Sequence, residues 1–157
     1  MEPATEARPD GDLLKVAVAL LARREFARVE LGRRLLRRAG AAKGAAEEVE
    51  RVLDHVQAKG LLSEERFTQE FIRARAGRFG PARLRHELLS RGLDKERVES
   101  AIRSLQGDEF GRAYALWQRR FDAPPADARE RARQGRFLAA RGFSHDVIRR
   151  ILEGRPC

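Results

Sequence analysis

The sequence predicts an elongated all-α protein, a tandem array of three three-helix repeats. Three observations predict it. β-Branched residues are scarce and never alternate with polar ones over a strand-length stretch. Apolar residues recur instead at three- and four-residue spacing in nine successive segments. The residues that end the second segment recur twice more, at similar intervals.

The segments follow in order. Residues 1–12 hold two prolines and no apolar period, and are expected to be a disordered lead-in. The first helix, about 13–25, puts Leu13, Ala17, Leu20 and Leu21 on one face. The second, about 28–39, turns Leu31, Leu35 and Leu36 inward and ends at Gly40. The third, about 45–58, buries Val49, Val52, Leu53 and Val56 and ends at Gly60. Ser63 caps the fourth, about 64–77, with Phe67, Phe71 and Ile72 inside. Gly80-Pro81 opens the fifth, which presents Leu84, Leu88 and Leu89 and stops at Gly92. Asp94 caps the sixth, about 95–106, with Val98, Ala101, Ile102 and Leu105. The seventh, about 108–121, carries Phe110, Ala113, Tyr114, Trp117 and Phe121 in one stripe, and Pro124-Pro125 breaks the chain after it. The eighth, about 126–141, contains Phe137 and Leu138. Ser144 caps the ninth, about 145–153, which buries Val147, Ile148, Ile151 and Leu152.

The repeat is written in the punctuation. Leu35-Leu36-Arg37-Arg38-Ala39-Gly40 recurs as Leu88-Leu89-Ser90-Arg91-Gly92-Leu93 and again as Leu138-Ala139-Ala140-Arg141-Gly142-Phe143. The repeats are expected over residues 13–59, 60–106 and 107–157. Each has too few large apolar side chains to stand alone, so neighbours should pack on one another.

Charge narrows the partners. The net charge is +9, and residues 1–12 carry −3, which leaves +12 on the rest. A body this basic suits nucleic acid, a nucleoprotein or an acidic protein groove. The one cysteine, Cys157, allows no disulfide within the chain and fits a reducing cytoplasm. No apolar signal core opens the chain, and the longest apolar run, Val16–Ala22, is far too short to span a bilayer.

The parts of an active site are missing. No strand precedes the glycines at 77 and 80, so they make no phosphate loop. His55, His86 and His145 lack the spacing of a helical zinc site. No enzyme activity, cofactor or metal is expected. Acidic residues sit one turn from arginines (Glu30 and Arg34, Glu47 and Arg51, Glu99 and Arg103), which reads as solvated faces with paired charges. Arg38, Arg91 and Arg141 each fall in a last helical turn, where the helix dipole favours a cation whatever the function. Arg73, Arg75, Arg78, Arg83 and Arg85 differ: five bases in 13 residues with no acid between them, a pattern that points to partner contact. Arg129, Arg131, Arg133 and Arg136 form a second cluster, interrupted only by Glu130 and extended by Arg119 and Arg120. Tyr114, Trp117 and Phe121 could stack on bases, but their strict helical spacing favours core packing. Phe79, in a turn beside the first cluster, either plugs a neighbouring repeat or is exposed for binding.

Three stretches together resemble the bacterial RecX family of recombination regulators: ALLARREFARVELGRRLLRRAG (19–40), GLLSEERFTQEFIRARAGRFGPARLRHELLSRGL (60–93) and RARQGRFLAARGFSHDVIRRIL (131–152). The middle stretch is the most specific. Two departures stand out: Ala27 replaces the usual capping serine, and Gly135 interrupts the eighth helix. The resemblance implies a curved array of three-helix repeats and a cytoplasmic, monomeric, non-enzymatic protein. It implies binding to RecA filaments on DNA and, in the main, inhibition of their ATP hydrolysis and strand exchange. The contacts expected there are Arg73, Arg75, Arg78, Arg83, Arg85, Arg119, Arg120, Arg129, Arg133 and Arg136. The alternative is a protein that binds DNA directly through phosphate contacts.

Overall fold

The computed structural model describes residues 11–155. Nine α-helices and no strand are found among them: α1 (Gly11–Leu21), α2 (Arg28–Ala39), α3 (Ala45–Ala58), α4 (Glu64–Arg75), α5 (Pro81–Ser90), α6 (Lys95–Arg103), α7 (Glu109–Arg120), α8 (Ala128–Ala140) and α9 (His145–Leu152). They form three successive triplets, with a 3-10 turn at Gln106–Asp108 before α7. No described helix is long and apolar enough to cross a membrane.

The expected boundaries shift in a few places. Gly11 and Asp12 belong to α1 rather than to a lead-in, and Asp12 lies in its first turn, where the helix dipole favours an acid. The rest of that lead-in, residues 1–10, and Cys157 lie outside the described residues. α1 closes early because the amides of Arg23 and Arg24 both fold back onto the Leu20 carbonyl, at 3.0 and 3.4 Å. α8 starts at Ala128 because the Asp127 carboxylate accepts the Glu130 amide at 2.8 Å. Ser63, Asp94 and Ser144 cap α4, α6 and α9 in the same way, accepting amides at 3.2, 3.3 and 3.4 Å. Ala27 offers α2 no such acceptor, and Glu64 of α4 supplies one, taking the Arg28 amide at 2.9 Å.

The described chain divides into two compact units. One runs up to Phe67 and includes Arg91–Leu93; the other takes Thr68–Ser90 and everything from Asp94 on. The division falls inside α4. In the first unit α1, α2 and α3 pack around Leu13, Ala17, Phe26, Leu31, Leu35, Val49, Val52, Leu53, Val56 and Leu62. In the second, α7, α8 and α9 pack around Leu116, Trp117, Phe121, Leu138, Phe143, Val147 and Ile151. Burying one such side chain is worth about 1.5–3 kcal/mol relative to exposure.

Leu36 and Leu89 depart from expectation, being 43% and 40% exposed. Each follows a fully buried leucine, Leu35 or Leu88. Successive residues on a helix point about 100° apart, and on α2 and α5 the core lies against the first leucine of the pair and leaves the second at its edge. The expected one-turn ion pairs are replaced as well. Glu30 meets Arg24 at 2.8 Å and Arg91 at 3.8 Å, Arg51 meets Glu48, and Glu99 meets Arg85 at 2.7 Å. For Glu30 and Glu99 packing brings arginines of other segments closer than the one a turn away, while Arg51 keeps a one-turn pair with the neighbouring glutamate.

A glycine seam joins triplets within each unit. In the second unit the Gly80 amide donates to the Arg141 carbonyl at 2.6 Å, and the Ala82 amide to the Gly142 carbonyl at 3.1 Å. A Cβ on Gly80 would lie 2.5 Å from the Gly142 carbonyl. Gly142 has φ +87°, and a side chain there would strike the backbone of Arg83. In the first unit Gly92, at φ +82°, is pressed onto the Val29 side chain.

Candidate partner-binding surface

The Gly80–Gly142 seam decides where the second unit's arginines converge. It holds the α4–α5 turn against the α8–α9 turn. Two arginines of α7 fasten the first of these turns from beneath. Arg112 Nη1 donates to the carbonyls of Ala76 and Phe79 at 2.7 and 3.1 Å, and Arg119 Nη2 donates to that of Gly77 at 3.3 Å. The Arg112 side chain is only 10% exposed, and its Nε and Nη2 have no hydrogen-bond partner among the described residues. Burial pulls its pKa below the usual arginine range, against the opposing pull of Asp108 and Glu109.

The fastened turn presents Phe79, half-buried, among three guanidiniums. Arg83 lies 4.7 Å from the ring centroid, Arg141 5.6 Å and Arg78 5.7 Å. The series continues along α7 and α8. Arg141 also lies 5.2 Å from Phe137, which Arg120 approaches at 5.9 Å. Arg120 lies 5.5 Å from Phe121, and Arg133 5.4 Å from the same ring. Phe121 and Phe137 meet edge to face at 5.4 Å. Five arginines and three phenylalanines thus form one unbroken strip.

Its charge is largely uncompensated. Arg83 pairs with Glu87 at 2.9 Å and Arg133 with Glu130 at 3.1 Å. Arg78, Arg120 and Arg141 have no carboxylate partner among the described residues. A guanidinium stacked on a ring has already lost much of its freedom, and its hydrogen-bonding edge remains available for a carboxylate or phosphate. Such a strip is suited to bidentate recognition of anionic groups.

The arginines expected from sequence therefore separate. Arg78, Arg83, Arg120 and Arg133 enter the strip. Arg85 is half-buried and tied to Glu99 at 2.7 Å, and Arg75 sits 3.9 Å from the Phe71 ring with Glu87 at 3.7 Å. Arg119 is exposed and donates one N–H to the Gly77 carbonyl. Arg73, Arg129 and Arg136 are exposed on α4 and α8 with no carboxylate partner among the described residues and no ring beneath them. Arg141, whose position the sequence explains by the helix dipole whatever the function, bridges two rings. Its place directly before the seam glycine was the signal. Trp117 and Phe121 are buried, as core packing requires, while Tyr114 is 38% exposed. The buried Gln134 was missed: it accepts from Trp117 Nε1 at 2.8 Å and donates to the Ala123 carbonyl at 3.1 Å, anchoring the chain before the double proline.

Comparison with known proteins follows the same outline. Residues 63–102 match a family model described as RecX, second three-helix domain, and residues 107–152 one described as RecX, third three-helix domain. A regulatory protein RecX of Leptothrix cholodnii is 49% identical over 145 residues, covering 92% of this chain and 90% of that protein. One of Pseudomonas savastanoi pv. phaseolicola is 48% identical, with 90% of each covered. The crystal structure of RecX from Lactobacillus salivarius superposes with a TM-score of 0.76 at 17% identity, covering 91% of this chain and 94% of that one.

Proposed function

The chain belongs to the RecX family of regulatory proteins, and on that premise we propose that it binds RecA filaments on DNA and restrains their ATP hydrolysis and strand exchange. It acts by occupying the filament, with no chemistry of its own. The observation that carries the reading is the arginine–phenylalanine strip on the Gly80–Gly142 seam. Arginine is enriched among the residues that dominate interface energies, and phenylalanine in interface composition. Three of the five cations have no carboxylate partner among the described residues, so an acidic protein surface can supply one without breaking a described pair. The protein works as a monomer in the cytoplasm.

The test is ATP hydrolysis by RecA on single-stranded DNA, titrated with this protein. Hydrolysis should fall at substoichiometric amounts. A rate unchanged by a stoichiometric excess would overturn the reading.

Direct binding to DNA is the second reading, favoured by Arg73, Arg129 and Arg136, which are exposed and unstacked. It requires affinity for bare DNA to fall with salt by about 0.9 in log K per neutralised phosphate for each decade.

A further inference from the structure

A second surface of different chemistry lies in the first compact unit, between α2 and α3. Val29 and Leu36 are 39% and 43% exposed. With Gly32 between them they form a stripe along α2 at three- and four-residue spacing. Gly32 has no side chain to fill that stripe, and a Cβ there would lie 3.2 Å from the Leu53 side chain. Val49 and Leu53 of α3 complete the floor of a groove of about 720 Å³.

The rim is cationic on one side. Arg33 and Arg37 of α2 line the groove, are exposed and have no carboxylate partner among the described residues. Arg28 at the groove's end is already satisfied by Glu50 at 2.8 Å and Asp54 at 2.7 Å. Burial works to lower its pKa, but these two partners outweigh that and raise it. The groove thus has an apolar floor about two turns long and two open guanidiniums beside it.

An exposed apolar stripe at this spacing fits the apolar face of another helix. Charge complementarity sets that helix's flank: it must place carboxylates opposite Arg33 and Arg37. We infer that this groove docks an acidic amphipathic helix of the filament protein, making a second contact separate from the arginine–phenylalanine strip. The inference rests on the proposed binding to RecA filaments. It adds an apolar component to recognition, one that salt does not screen.

The experiment compares affinity for RecA-coated single-stranded DNA with affinity for the same DNA bare, at moderate salt. The proteins are the wild type, Leu36→Ser, Arg33→Glu/Arg37→Glu, and Val18→Ser, which alters an exposed apolar residue of α1 outside the groove. Leu36→Ser should weaken binding to coated DNA roughly tenfold and leave bare-DNA binding unchanged. The charge reversal should weaken coated-DNA binding at least as much, and Val18→Ser should stay within about twofold. Circular dichroism should show the same helix content in all four. If Leu36→Ser binds coated DNA as the wild type does, the groove proposal falls and filament binding stands. Equal losses on coated and bare DNA also overturn it. A wild type with no preference for coated DNA overturns both.

Discussion

Gly80 and Gly142 meet backbone to backbone, close enough that a Cβ on Gly80 would lie 2.5 Å from the Gly142 carbonyl. Gly142 also holds φ at +87°, which L side chains rarely adopt. Gly142→Ala therefore combines backbone strain with a collision against Arg83, and should destabilise the protein by about 2 kcal/mol or more. Gly135 gives the opposite sign. It lies inside α8, and a Cβ there would make ordinary contact, 3.5 Å from Leu152. Gly135→Ala should raise stability by about 0.5–1 kcal/mol. Urea unfolding of the two variants checks both, and equal shifts of one sign would contradict the seam.

Gln134 is 1% exposed and holds Trp117 Nε1 at 2.8 Å and the Ala123 carbonyl at 3.1 Å. Gln134→Leu keeps the bulk but leaves the buried Trp117 Nε1–H without its acceptor and frees the Ala123 carbonyl. The expected loss is about 2 kcal/mol. Trp117 is the protein's one tryptophan, so its fluorescence during unfolding reports on this cluster directly.

Glu64 takes the Arg28 amide at 2.9 Å and so replaces the cap that Ala27 cannot provide. Glu64→Ala should cost roughly 1 kcal/mol, as loss of an N-cap does. Hydrogen exchange should speed up in the first turn of α2. Protection unchanged there would show that α2 needs no acceptor from α4.

Much of the fold was legible because punctuation and period agreed. Ser63, Asp94, Ser144 and the helix-ending glycines mark ends through local chemistry, and the apolar spacing marks faces. The exposure of Leu36 and Leu89 was not legible, because an adjacent leucine pair does not say which member the core will take. The borrowed cap from Glu64 lies 36 residues from Arg28 and leaves no local trace. The candidate surface was half legible. A run free of acids located Arg78 and Arg83, but Arg85 faces Glu99, 14 residues on. Arg141 reads as a last-turn cation in sequence, but α8 ends at Ala140 and Arg141 is its C-cap; the packing of its turn on Gly80 brings it to Phe79.

The central claim is that the strip around Phe79 carries filament binding. Arg78 and Arg141 are the residues to change, since neither has a carboxylate partner among the described residues to leave stranded. Arg83→Glu would instead meet Glu87, and Arg85→Glu would meet Glu99, each disturbing the fold. The decisive measurement is RecA ATP hydrolysis on single-stranded DNA with Arg78→Glu/Arg141→Gln titrated against the wild type. The account predicts unfolding stability within about 1 kcal/mol of the wild type and a roughly tenfold or greater rise in the concentration needed for half-inhibition. A double variant that inhibits at the wild-type concentration would contradict it.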